Sequence, residues 1–456
     1  MQEHAREQFA SRLGFILMTA GCAIGLGNIW RFPVMTGSCG GGFFVLLYLI
    51  FLALLGFPVM MMELALGRAG RSTYPGAFRN LAGENRRFKW HIPAYAVFAG
   101  NFVLLMYYSV ISGWLLAYTV QMISGNKELL TPEYFSVFTT RTPEQILYTF
   151  LMLTGTVIIC LGSLRGTIEK SIKVMMAGLF LLLTILVVKS LCLPGAGAGV
   201  KFFLYPSLDK FAGENFLGTL HAAMAQAFFT LSLGIGSIAI CGSYFNKERS
   251  LPGEGLWIVI FDTLVAVSAG LIIFPACFTF GVSPDAGPPL IFITLPKVFQ
   301  NMTAGGFWGT LFFLFLTVAA FSTLVAVFEN LVAFGMDEFR WARKRSCGIF
   351  GVLLALFSLP CIFGFSIWKQ IQPLGKGSTI LDFEDFIVSE NLLPLGALLL
   401  ALFCMHRYGW GSENFYTELN TGKGLKFPRF MTWYMKWILP LIILTIWAVG
   451  IAKRFF

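Results

Sequence analysis

Long apolar runs, each closed by a short polar turn, recur from one end of the chain to the other. Runs of about 18–25 residues are long enough to cross a bilayer as helices. Eleven are read here, over roughly 12–36, 41–67, 88–123, 146–163, 171–190, 219–243, 254–281, 307–338, 347–364, 384–406 and 431–453; they are numbered spans 1 to 11 below. Backbone groups in lipid must be satisfied within their own segment, so helices are favoured, and the runs are too long and uniform for barrel strands. The pattern predicts an all-α polytopic membrane protein formed as one transmembrane domain.

Two spans depart from the pattern. Span 1 contains AGCAIGLGNIWRFP, residues 20–33, where Gly21, Gly25 and Gly27 are followed by Asn28, Arg31 and Pro33. Span 6 contains FFTLSLGIGS, residues 228–237, with Gly234 and Gly236 near its centre. Gly inside a helix costs about 1 kcal/mol relative to Ala, so paired breaks need a reason. The two spans open two blocks of five, about 12–190 and 219–406, and leave the helix at about 431–453 over. Inverted repeats with discontinuous helices, whose exposed carbonyls and half-helix ends bind ions and substrate at mid-membrane, supply such a reason. Close helix packing through small residues is the alternative for either span alone.

Composition fits the membrane reading. Of 456 residues, 57% are hydrophobic and 12% charged, about half the charge of a soluble domain. The net charge of +10 is explained by topology rather than by nucleic acid. Arg68, Arg71, Arg79, Arg86, Arg87 and Lys89 follow span 2; Arg165 and Lys170 follow span 4; Lys247 and Arg249 follow span 6. Arg340, Arg343, Lys344 and Arg345 follow span 8, and Arg407, Lys423, Lys426 and Arg429 follow span 10. All fall on the side of the N-terminus, which the positive-inside rule places in the cytoplasm. Lys453 and Arg454 run against that trend. The first span lacks a small-residue cleavage site and reads as a retained span. The nine cysteines are scattered without a C-x-x-C pair and read as small core residues.

The motif in span 1, with GGGFF at 40–44, ELALGR at 63–68 and FFTLSLGIGS in span 6, resembles the neurotransmitter:sodium symporter family. The similarity extends from Arg6 to about Trp410, and eleven spans resemble its small bacterial members that carry hydrophobic and aromatic amino acids. The resemblance implies a sodium-coupled symporter working by alternating access in the inner (plasma) membrane. Its first sodium site would use Ala23, Asn28, Thr230 and Asp262; its second, Gly21, Ile24, Ala319, Ser322 and Thr323. The substrate would lie among Ala23, Gly25, Leu26, Gly27, Leu104, Tyr108, Phe229, Thr230, Ser232, Ile235, Thr323 and Val327. An outer gate of Arg31, Asp385 and Phe229 and an inner gate of Arg6, Tyr244 and Asp337 complete the set.

Several positions depart from the family pattern. Asp262 stands where Asn is common, and Ala266 where chloride-dependent relatives place a Ser, so a fixed carboxylate would make chloride redundant. Cys22 replaces Asn or another small residue, and Phe9 a Trp beside the inner gate. The pocket is apolar without a fixed charge, which disfavours acidic or basic substrate side chains. Adjacent Ser322 and Thr323 would, taken alone, read as hydroxyls bonded to the preceding turn. Glu63 and Glu329 read as structural or coupling acids, and His91 and His221 as bystanders near the membrane boundaries.

Rival classes have less support. TLSLG at 230–234 lacks the leading Gly of a nucleophile elbow, and neither H-E-x-x-H nor a P-loop occurs. There is no repeated filter loop for a channel. An amino-acid sensor on the same fold would bind without flux. Expected partners are a small amino acid, two sodium ions and membrane lipid, with no chloride, nucleic acid or obligatory protein partner.

Overall fold

In the computed structural model the described residues are 7–82, 88–125, 129, 131, 133–207, 216–282 and 291–455. Arg6, Arg86 and Arg87 lie outside them. Among the described residues the architecture is helical, with a single isolated bridge, Arg249 to Lys423, as its only extended pairing. Nine helices among the described residues are long and apolar enough to span: Gly42–Gly70, His91–Ile123, Thr142–Leu161, Leu164–Leu191, Leu251–Thr279, Gly305–Phe339, Arg343–Phe363, Ile380–Met405 and Met431–Ala452. Arg12–Ala23 and Gly27–Ser38 together form a tenth, bent by 55° at its break. Span 6 is not an eleventh by the same measure. Its halves, Phe216–Thr230 and Ser237–Ser243, are each short and are separated by the non-helical residues 231–236.

Burial sorts the helices into layers. Spans 3 and 8 form the centre, with 67% and 78% of their most apolar stretch buried, against 28% for spans 5 and 11. Peripheral helices turn apolar residues outward, as with Leu147, Leu151 and Ile158 of span 4 and Trp437, Leu441 and Leu444 of span 11. Outside water, such faces are satisfied by lipid, and helix association relies on close packing and hydrogen bonds. Thr119 and Thr317 join spans 3 and 8 through their hydroxyls at 2.9 Å, and Trp114 donates to Gln145 of span 4 at 2.8 Å.

Proline shapes four of the spans. Wide π turns at Gly27–Arg31, Leu52–Gly56, Phe386–Leu392 and Tyr434–Ile438 each end two residues before a proline: Pro33, Pro58, Pro394 and Pro440. Proline lacks an N–H and crowds the carbonyl four residues back, so the preceding turn opens. The Leu54 carbonyl, four before Pro58, accepts the Tyr434 hydroxyl at 2.8 Å, which ties span 2 to span 11.

The face carrying the N-terminus is laced by ion pairs. Arg68, fully buried at the end of span 2, binds Glu418 at 2.7 Å and the Arg249 carbonyl at 2.7 Å. Glu418 sits on a short helix, Ser412–Leu419, and also takes Lys247 at 2.8 Å. Arg12 pairs with Glu254 at 2.8 Å, joining span 1 to span 7. Sequence periodicity did not mark this short helix, or those at Tyr74–Leu81 and Ala196–Leu204, because each is too brief to show a repeat.

Candidate substrate and ion site

The break in span 1 follows from its residues. Ile24 leaves the helix in an extended conformation, φ −68° and ψ 101°, and its N–H still caps the Ala20 carbonyl at 2.6 Å. The chain resumes as a helix when Asn28 and Ile29 donate to the Gly25 carbonyl. The break in span 6 is more contorted. Ser232 (φ +50°), Gly234 (φ +100°) and Gly236 (φ +84°) all adopt the left-handed region. Its amides are collected by a carboxylate from span 2. Glu63, fully buried, accepts from Gly234 at 2.8 Å, Ile238 at 3.0 Å and Ala239 at 3.3 Å. An anion at the start of a helix meets both its unpaired N–H groups and its dipole, so Glu63 belongs to the support of this break.

Between the breaks lies the first cluster of oxygens. Asn28, Thr230 and Asp262 are completely buried. The Asn28 amide nitrogen donates to Asp262 Oδ1 at 2.8 Å, to the Asp262 carbonyl at 3.2 Å and to Thr230 Oγ1 at 2.9 Å. Thr230 donates to Asp262 Oδ2 at 3.1 Å, and the Gly25 N–H reaches Asn28 Oδ1 at 3.3 Å. Tyr48, from span 2, approaches Thr230 at 3.5 Å, an addition that no local motif indicated. The second cluster joins span 1 to span 8. Thr323 Oγ1 lies 3.2 Å from the Gly21 carbonyl, 2.9 Å from that of Ile24 and 3.3 Å from that of Ala319, while Ser322 bonds the Ala319 carbonyl at 2.8 Å. Thr323 therefore bonds both its own helix and the broken one. No cluster of three or more His, Cys, Asp or Glu suited to a metal occurs among the described residues. A cation here would meet neutral oxygens and one carboxylate, a set that suits a hard ion.

An apolar cavity of about 30 Å³ adjoins both clusters. Ala23, Gly25, Leu26, Gly27, Leu104, Tyr108, Phe229, Ser232, Ile235 and Thr323 line it, together with Val388 and Leu393 of span 10. Val327 is buried but is not among the lining residues. Val388 and Leu393 lie in an ordinary apolar run, and only the wide turn before Pro394 distinguishes their place. Tyr108 accepts the Leu26 N–H at 3.2 Å. Gln226 donates to the Gly27 carbonyl at 3.0 Å and thereby fastens span 6 to the span 1 break.

Above the cavity the Phe229 ring packs on Gly27, and the Arg31 guanidinium covers that ring at 4.1 Å from its centre. The expected Arg31–Asp385 ion pair is not formed in this conformation. Asp385 instead accepts from Tyr107 at 3.0 Å and Ser389 at 2.5 Å, and Arg31 is drawn to the aromatic face. Beyond this lid opens a cavity of about 300 Å³, walled by Arg31, Met35, His221, Phe228 and Glu390 and by Trp447 and Gly450 of span 11. His221, expected to be idle, hydrogen-bonds the Ile446 carbonyl at 3.1 Å.

On the face carrying the N-terminus, the Phe9 N–H donates to the Tyr244 carbonyl at 3.3 Å and the two rings meet edge to face. Tyr244 donates to Glu329 at 3.0 Å, and Glu329 pairs with Arg343, whose Nε also binds the Cys160 carbonyl at 2.8 Å. Arg343 was counted in sequence only as loop charge. Asp337 accepts from Ser72 at 3.1 Å and from the Thr73 N–H at 2.8 Å.

The sequence profile of the Sodium:neurotransmitter symporter family matches residues 6–130 and 140–454. The chain belongs to that family. Among curated relatives, it is 36% identical over 456 residues to an uncharacterized sodium-dependent transporter, YhdH, of Bacillus subtilis, covering 98% of each chain. It is 34% identical over 454 residues to an uncharacterized sodium-dependent transporter of Haemophilus influenzae, with 97% of each covered. The sodium-dependent serotonin transporter of Drosophila melanogaster is 25% identical over 501 residues, 98% of this chain and 77% of that one. The crystal structure of MhsT in complex with L-phenylalanine superposes with a TM-score of 0.86 at 36% identity, covering 98% of this chain and 100% of that one. This member of the sodium:neurotransmitter symporter family is thus a polytopic membrane transporter that uses sodium, and its family is one of transporters rather than enzymes.

Proposed function

We propose that the protein imports hydrophobic L-amino acids, aromatic ones included, together with two sodium ions, and does so without chloride. The observation that carries this reading is the convergence of two buried oxygen clusters on one broken helix, with an apolar cavity between spans 1, 3, 6, 8 and 10 beside them. The phenylalanine bound by MhsT supports the substrate class. Each sodium would replace hydrogen bonds now made within its cluster: Asn28, Thr230, Asp262 and the Ala23 carbonyl for the first, Thr323, Ser322 and the carbonyls of Gly21, Ile24 and Ala319 for the second. The substrate carboxylate would face the amides of 25–27 and the Tyr108 hydroxyl.

Chloride independence rests on Asp262 and Ala266. Opposite charges 4 Å apart attract by roughly 4 kcal/mol at an effective dielectric of 20, comparable with the roughly 2.5–3.5 kcal/mol of inserting a carboxylate at mid-membrane. In this reading residues 12–190 and 219–406 are the inverted repeats, 431–453 is an added helix, and the N-terminus is cytoplasmic in the inner membrane. Arg31, Phe229 and Asp385 gate the outside; Tyr244, Asp337 and Arg6 gate the inside.

Uptake into proteoliposomes tests the proposal. Saturable uptake of leucine, phenylalanine, tyrosine and tryptophan is expected with sodium and lost with choline. It is expected to persist when gluconate replaces chloride and to accelerate with an inside-negative potential, since each charge gains about 2.3 kcal/mol per 100 mV. Uptake unchanged in choline would remove the coupling, and competition by glutamate or lysine as strong as by leucine would remove the pocket. Binding without flux would make the protein a sensor.

A further inference from the structure

The break at residues 231–236 is held through both its amides and its carbonyls. Glu63 takes the amide of Gly234 and that of Ile238 just beyond the break. The carbonyls are taken by two asparagines from the two central spans. Asn101 of span 3 donates to the Ile235 carbonyl at 2.6 Å, and Asn330 of span 8 donates to the Gly236 carbonyl at 3.2 Å. The asparagines are joined, Asn330 Nδ2 to Asn101 Oδ1 at 3.2 Å, and Ser237 donates to the same Asn101 oxygen at 2.7 Å. Asn101, Ser237 and Asn330 are all completely buried. Both amide orientations are determined, because each nitrogen faces only acceptors and the Asn101 oxygen only donors.

We propose that Asn101 and Asn330 are positioning residues of the transport site: a clasp that fixes the peptide planes of 235–237 so that Ile235 presents its side chain to the cavity. Neither residue lines that cavity. Asn101 lies three residues before Leu104 and Asn330 three after Val327, one layer toward the face carrying the N-terminus. The clasp joins span 6 to spans 3 and 8, whereas Glu63 joins it to span 2. Movement of spans 2 and 6 together against the two central spans would therefore stretch the asparagine bonds and leave those of Glu63 intact. A buried carbonyl deprived of its donor is costly, so the break loses its defined shape when the clasp is removed.

The kinetic arm of the test rests on the amino-acid reading above; the exchange arm does not. In the full chain, reconstituted without substrate, Asn101→Leu and Asn330→Leu should each speed amide exchange across 231–240 by about tenfold or more, with other segments unchanged. In uptake assays KM should rise about tenfold with kcat altered less than about threefold. The double variant should add little to the worse single one, because both act on one segment. Ser237→Ala, too small a change to threaten folding, should shift exchange and KM in the same direction by about two- to fivefold. Unchanged exchange over 231–240 in Ser237→Ala and in either folded asparagine variant overturns the clasp. So do exchange that rises uniformly along the chain and effects on KM that multiply in the double variant. Faster exchange in a protein whose unmodified form moves no amino acid supports the clasp and overturns the amino-acid reading alone.

Discussion

Spans 1 and 6 both break at a Gly-x-Gly, residues 25–27 and 234–236, and the two motifs solve different problems. Gly234 and Gly236 hold φ values of +100° and +84°, a region that side-chain-bearing residues enter at a cost. Gly25 and Gly27 are absent from the positive-φ residues; what they need is room. A Cβ on Gly25 would stand 2.6 Å from the Tyr108 hydroxyl and 2.9 Å from Thr323 Oγ1, and one on Gly27 would stand 3.0 Å from the Phe229 ring. In span 6 the glycines make the backbone possible. In span 1 they let the site's own side chains reach the backbone. The same sequence sign therefore marks a conformational requirement in span 6 and a requirement for close approach in span 1.

Substitution should separate the two. The largest effect is expected for Gly236→Ala, where a left-handed backbone and a Cβ 2.5 Å from that of Tyr74 act together. Stability should fall by about 2–4 kcal/mol, read as a lower thermal midpoint in detergent, and uptake should be lost with it. Gly25→Ala should lower the thermal midpoint less, since its backbone is not left-handed and the new Cβ meets only the ends of the Tyr108 and Thr323 side chains. Sodium-dependent amino-acid binding should weaken by about tenfold or more as those side chains are displaced. Equal loss of stability in the two variants would erase the distinction.

Asp262→Asn addresses the group that touches both breaks, through Asn28 and Thr230. It keeps an oxygen and removes the charge, so half-saturation by sodium should rise about tenfold with the fold intact, as measured by binding at fixed substrate. Adding Ala266→Ser should make the remaining activity respond to chloride. The smallest effect is expected for Ser232→Gly. Ser232 carries φ +50° without being glycine, so the change should stabilise by about 0.5–1 kcal/mol in thermal unfolding. A loss of stability there would mean that its side chain matters more than its backbone.

Much of the fold was legible because lipid forces each span to declare itself as an apolar run. The observed helices begin and end within a few residues of those runs except in span 5, whose helix starts at Leu164 and takes in Arg165 and Lys170, charges that were read as a turn. The breaks were legible because closely paired glycines, Gly25 with Gly27 and Gly234 with Gly236, interrupt the middle of two apolar runs. Span 6 was read as one span broken at its glycines, and its halves are each too short to count alone, because the non-helical part extends from residue 231 to 236. The polar partners were harder. Asn101, Gln226 and Asn330 are single polar residues in long apolar helices, and only tertiary structure shows that all three serve carbonyls of broken segments. The Arg31–Asp385 pair was expected from the family resemblance, which gives no weight to an aromatic ring that competes for the cation.

The cavity beside the two oxygen clusters has a physical consequence of its own. At about 30 Å³ it has room for about one water, far less than an amino acid requires. If this cavity holds the proposed substrate, loading pushes Phe229, Val388 and Leu393 apart, and the loaded molecule occupies more space than the contracted one. That makes volume a coordinate of the cycle alongside charge. Hydrostatic pressure favours the state of smaller volume, and it should therefore hold this carrier in its contracted form and slow its loading even when the sodium gradient is unchanged.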